Sequence, residues 1–117
     1  MLAPSNRLRD RRAIAQVMRR GRFASDRSVM VKTLANHLGY SRAMVVVSKK
    51  VSKKAVVRNR LRRRVAGLLA AEWATVAPGY DIVVTVRDNV VEVSAPELAQ
   101  PVISTLRQAK LIALPPK

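Results

Sequence analysis

No cysteine occurs among the 117 residues. That excludes a disulfide framework and a thiolate metal site, and it suits a reducing compartment. Aromatic residues are almost as scarce, being limited to Phe23, Tyr40, Trp73 and Tyr80. The core must therefore be built mainly from Val, Leu, Ile, Ala and Met. His37 is the single histidine; standing alone in a turn, it reads as solvent-facing or structural. The seven Asp and Glu residues are dispersed, and no two stand at a helical spacing that suits acid-base work. Ser, Thr and Lys occur without an evident activating partner. The chain is not expected to carry bond-breaking chemistry itself.

Long apolar runs are missing too. None approaches the roughly 20 residues of a membrane-spanning helix. The N-terminus, MLAPSNRLRDRRAIAQVM, lacks the uninterrupted apolar stretch of a secretory signal. It shares an Arg-rich amphipathic look with organelle transit peptides but reads better as part of the fold. With no repeat, low-complexity tract or linker, residues 1–117 are expected to form one domain, located in the cytoplasm.

What the sequence does have is positive charge, a formal net of +16. It is unevenly placed: residues 1–26 carry +5, residues 27–71 carry +12 without any acid, and residues 72–117 carry −1. Hydrophobic residues still make up 49% of the chain, so charge has not crowded out a core. The asymmetry points to a polyanionic partner, nucleic acid or an anionic membrane, and to strong self-repulsion in the free protein.

Periodicity orders the elements. Ala13, Ile14, Val17 and Met18 recur at helical spacing between Asp10, a fitting cap, and Gly21, a fitting C′ residue. Ser28–Leu34 and Arg42–Ser48 read as strands, separated by a turn at Asn36–Ser41. From about Lys53 to Ala74, Val57, Leu61, Val65, Leu68 and Leu69 share one helical arc, and the Pro78-Gly79 turn follows. Tyr80–Arg87 is a further strand. Ala95–Ile112 is a last helix, in which Pro101 is expected either to delay the start or to kink the axis. The order gives an α+β fold, a two-layer sandwich with helices against one sheet.

The stretch SKKVSKKAVVRNRLRRRV, Ser48–Val65, holds nine Lys or Arg and no acid. A charge run is usually a solvated face. Such faces mix both signs, however, whereas Arg58/Arg62, Arg60/Arg63 and Arg60/Arg64 set like charges three or four residues apart, at a cost of about a few tenths of a kcal/mol each. Arg predominates from position 58 onward, and its planar fork suits bidentate phosphate contacts and base stacking. The reading is a polyanion-binding helix. RNA is favoured over DNA because no helix-turn-helix, basic-zipper or zinc pattern accompanies it. About six phosphate contacts would make affinity fall steeply with salt.

These residues resemble a known family. VSKK at Val47–Lys50, AVVRNR at Ala55–Arg60 and Arg62-Arg63 look like the signature of the bacterial ribonuclease P protein subunit. Asn6-Arg7-Leu8, Val17 with Gly21, and Asp81-Ile82-Val83-Val84 running to Arg87 extend the likeness over about residues 6–90. The resemblance implies an α-β-β-β-α-β-α order with a left-handed β-α-β crossover, a ribosomal protein S5 domain 2-like fold. It implies binding to ribonuclease P RNA and to the 5′ leader of precursor tRNA, in an endoribonuclease whose chemistry belongs to the RNA and its Mg²⁺ ions. No protein partner is required and no membrane is involved.

By matched position the RNA-binding residues are Lys49, Lys50, Lys53, Lys54, Arg58, Asn59, Arg60, Arg62, Arg63 and Arg64. Arg11, Ile14, Met18 and Lys32 are the candidates for the leader cleft. The family commonly displays aromatics there, so Ile14, Met18 and Lys32 are departures; Ile14 and Met18 can be read as cleft wall or as core. Met44 replaces a usual glycine, and Ala66 replaces an arginine. The alternatives are a ribosomal or ribosome-assembly protein and, more remotely, a cationic membrane-active protein.

Overall fold

A computed structural model describes residues 2–112. Three helices, α1 (Arg11–Arg20), α2 (Ala55–Glu72) and α3 (Ala95–Gln108), accompany four strands: β1 (Arg22–Asp26), β2 (Val29–Ala35), β3 (Arg42–Val47) and β4 (Tyr80–Val86). Short 3₁₀ turns occupy Pro4–Asn6 and Trp73–Thr75. The sheet runs in the order β1-β2-β4-β3. β1 and β4 each pair antiparallel with β2, whereas β3 pairs parallel with β4. A parallel pair needs a crossover, and α2 supplies it. The α+β class and the order implied by the family resemblance are both present.

Strand alternation divides the apolar residues between two faces. Val31, Ile82, Val84 and Val86 point to the side where Leu61, Val65 and Leu69 of α2 meet Leu98, Val102 and Leu106 of α3. All are buried, and each such side chain contributes about 1.5–3 kcal/mol relative to exposure. Val83 points the other way, where Val17 of α1 and Leu8 complete a smaller cluster flanked by Ile14, Leu34, Met44 and Val46. The α1 face is thus covered in part, and the α2–α3 face fully.

The N-terminal segment guards the sheet edge. Arg7 forms a parallel bridge to Ala43, and the Leu8 N–H donates to the Ala43 carbonyl at 2.9 Å. Asn6 donates to the Ser41 carbonyl at 2.9 Å, and the Ser41 hydroxyl donates to the Ala77 carbonyl at 2.6 Å. Beside them the buried Asp81 carboxylate accepts two 2.8 Å bonds from Arg42 and one of 2.9 Å from Asn36. The hydrogen bond to Asp81 raises the Arg42 pKa above its already high ordinary value, so the guanidinium stays charged at all working pH. The Asn6-Arg7-Leu8 and Asp81 positions are therefore structural.

Several expectations need correction. β1 was not legible from its own residues; only the family order called for a fourth strand. The last helix ends at Gln108 rather than Ile112, and α2 ends at Glu72, two residues before Ala74. α3 starts on its Ser94 cap and continues through Pro101, which is buried inside it, so the start is not delayed. Gly21 is not a left-handed C′ residue, since its φ is −68°. A Cβ at Gly21 would instead collide with the Val17 carbonyl and stand 3.1 Å from the Thr33 carbonyl. The Val17 carbonyl of its own preceding turn, and not backbone handedness, demands the glycine, with Thr33 of β2 close beside it.

Candidate nucleic-acid interface

α2 faces two ways because Leu61, Val65 and Leu69 recur every fourth residue and are fully buried. Burying that stripe turns Asn59, Arg60, Arg62 and Arg63 outward, all exposed. Lys49, Lys50, Lys53 and Lys54 are exposed on the segment joining β3 to α2. Among the described residues, none of these lysines is in an ion pair, and neither is Arg62 or Arg63. Arg60 alone meets an acid, Glu92 at 3.9 Å, and both side chains are mostly exposed. Such a contact contributes little.

Three arginines of the set already serve the protein. Arg58 donates to the Ser52 carbonyl at 2.9 Å and so closes the lysine-bearing loop onto the helix. Arg62 donates to Asn59 Oδ1 at 2.8 Å, which fixes its fork on the outer face. Arg64, half-buried, donates to the Val91 and Val93 carbonyls at 2.6 and 2.7 Å and pins the segment between β4 and α3.

The start of α2 adds backbone donors to this charge. Its N-cap, Lys54, makes no side-chain cap, and no acid lies in the first turn. The first intrahelical N–H is that of Arg58, which donates to Lys54. The N–H groups of Ala55, Val56 and Val57 thus open the helix with no first-turn carboxylate to meet them. Orphan helix donors with surrounding cations suit phosphate oxygens.

The second group of candidates lies on the α1 face. Arg11, Ile14 and Met18 fall at i, i+3 and i+7 on α1. Arg11 and Met18 are exposed, whereas Ile14 is half-buried against the Val17–Val83 cluster. Ile14 thus packs at the margin of that core cluster, while Met18 is surface. Lys32 of β2 donates to the Met18 carbonyl at 2.8 Å, satisfying one of the last carbonyls of α1. Met44 packs against the same cluster, and Ala66, half-buried, lines a cavity of about 230 Å³ with Arg7, Arg62 and Leu69.

One residue escaped the sequence reading. Phe23 pairs with Lys32 across β1 and β2, so the two side chains share the α1 face. Its ring is 66% exposed. The only signal in the sequence was the scarcity of aromatics, because RFASD has no alternating apolar pattern.

No helix among the described residues is long and apolar enough to cross a membrane. They also contain no convergent group of three His, Cys, Asp or Glu.

Comparison with known proteins adds a family to this geometry. The family model for ribonuclease P matches residues 2–110. The "Ribonuclease P protein component" of Rippkaea orientalis is 37% identical, with 92% of this chain and 88% of that protein covered. That of Symbiobacterium thermophilum is 33% identical over 91% of this chain and 92% of its own. Among solved structures, the Thermotoga maritima RNase P protein superposes with a TM-score of 0.74 at 28% identity, covering 84% of this chain and 92% of that one. The Staphylococcus aureus RNase P protein gives 0.81 at 21% identity, covering 92% and 98%, a likeness of fold.

Proposed function

The chain belongs to the ribonuclease P protein family, and from that premise we propose that it binds the ribonuclease P RNA through the α2 face. On the same reading it holds the 5′ leader of precursor tRNA along the α1 face and so assists removal of that leader. The observation that carries the reading is the one-sided helix. Leu61, Val65 and Leu69 are locked in the core, and the cations they turn outward have almost no acid to pair with. Such a face is costly to the free protein and is relieved by phosphates.

The described residues do not fit a Mg²⁺ site, since they bring no acidic cluster together and Mg²⁺ wants several oxygen ligands. The proposal therefore leaves Mg²⁺ with the RNA. The protein's contribution is electrostatic: Lys49, Lys50, Lys53, Lys54 and the exposed arginines neutralise backbone phosphates, so fewer free cations are needed to bring enzyme RNA and substrate together. Arg58 and Arg64 position the loops that carry or flank these groups. Asn59 orients Arg62.

Reconstitution with a bacterial ribonuclease P RNA at limiting Mg²⁺ tests this. Precursor cleavage should rise well above that of the RNA alone. No gain would reject the proposal, and co-purification with ribosomal subunits instead of a ribozyme RNA would favour the ribosomal alternative.

A further inference from the structure

Trp73 and Tyr80 pack against the main core. Phe23, in contrast, presents an exposed ring on β1. Ala24 beside it is buried on the α3 side, so alternation fixes the ring on the opposite, α1 side. There the ring faces the Lys32 stem, whose amine is held by the carbonyl of Met18, itself 43% exposed. An exposed aromatic ring thus stands across from a lysine whose amine is tied to the end of α1. Arg19 and Arg20, exposed in the last turn of α1, bring positive charge to this end of the face, whereas Arg22, like Ala24, points to the α3 side.

We propose that Phe23 is a stacking platform for one nucleobase of the single-stranded leader, at the end of the α1 face farthest from the Lys49–Lys54 segment. This rests on the ribonuclease P reading given above. The positions expected to carry aromatics hold Ile14, Met18 and Lys32, and the ring lies one strand further out, at the sheet edge. Charge complementarity selects the occupant. A base stacks on the ring while its flanking phosphates meet guanidinium groups. A second copy of this chain would bring like charge to the same place, residues 1–26 carrying a net +5.

The sheet order sets the distance. The cross-strand row Ser25, Met30, Thr85 and Val46 leads from β1 to the end of β3, where Lys49 and Lys50 follow. Phe23 lies two residues before that row and Lys49 three after it, so three strand spacings across and about five residues along make about 22 Å. At about 3.4 Å per stacked nucleotide, that is about six nucleotides. Phe23 therefore acts only on leaders long enough to cross the sheet.

The test uses holoenzyme reconstituted with a bacterial ribonuclease P RNA, containing wild-type protein, Phe23→Ala, Phe23→Leu or Phe23→Trp. Dissociation constants are measured for precursor tRNA with a two-nucleotide leader, with a ten-nucleotide leader, and for mature tRNA. Phe23→Ala should weaken the long-leader complex about tenfold, as expected for one lost stacked base. The loss should be absent with the short leader and with mature tRNA. Trp should restore binding, and Leu, apolar without a π face, should not.

Equal affinity of wild type and Phe23→Ala for the long leader would overturn the proposal, as would full rescue by Leu or an equal loss on all three substrates. Self-association of the wild type that Phe23→Ala abolishes would assign the ring to a contact between copies and also overturn it. A wild-type holoenzyme that cannot tell the long-leader precursor from mature tRNA would reject the leader reading itself, a failure visible before any variant is compared.

Discussion

The two faces of the sheet are held by different means. On the α2–α3 face, Leu61, Val65, Leu69, Leu98, Val102 and Leu106 seal one continuous apolar core. On the α1 face a small cluster around Val17 and Val83 is backed at one end by the Arg42–Asp81–Asn36 network. Elsewhere that face leaves Met18 and Phe23 in solvent. A fully sealed face can carry stability while its outer helix surface is given over to charge. A partly sealed face keeps grooves and edges free for a ligand. The difference explains how a chain of net charge +16 folds at all.

Removing the ion-pair network should have the largest effect. Asp81→Ala leaves the mostly buried Arg42 without its carboxylate, and an uncompensated buried charge costs about 3–5 kcal/mol. Denaturant unfolding reads this directly; a loss below about 1 kcal/mol would show that apolar contacts alone hold that end of the sheet. Core truncation comes next and compares the faces themselves. Leu61→Ala should cost about 3 kcal/mol, whereas Ile14→Ala, half-buried on the open face, should cost less, about 1 kcal/mol. Equal losses would contradict the asymmetry.

Anions probe the charged exterior with a smaller effect. Sulfate or phosphate at about ten times its dissociation constant should stabilise by about 1.4 kcal/mol, raising Tm by about 6 °C. Chloride at matched ionic strength should do less. A melting temperature indifferent to the anion would mean that repulsion along residues 27–71 is not felt by the free protein.

The sequence made some parts of this comparison legible. Leu61, Val65 and Leu69 announce α2 because burial every fourth residue is a local pattern, and β2, β3 and β4 show as runs of β-branched residues. β1 does not, because RFASD is a strand only through pairing with β2. Gly21 does end α1, but through contact and not handedness: a Cβ there would strike the Val17 carbonyl, with Thr33 of β2 close by. The cations of the site were readable as residues, yet their division of labour was not. Arg64 is tied to carbonyls 27 and 29 residues away, and Lys32 to one 14 residues away. Phe23 was hidden for the same reason, since its exposure follows from which face of β1 meets α3.

The central claim is that the outward charge of α2 recognises RNA while the fold is held elsewhere. Its most direct test is the salt dependence of binding to ribonuclease P RNA, for wild type and for the Arg60→Ala, Arg63→Ala double variant. Both residues are exposed and make no hydrogen bond to a structural carbonyl. The slope of log K against log salt should flatten by about 1.4, taking about 0.7 per phosphate contact, with Tm in the absence of RNA not lowered. An unchanged slope, or a variant that melts well below wild type, would contradict the account.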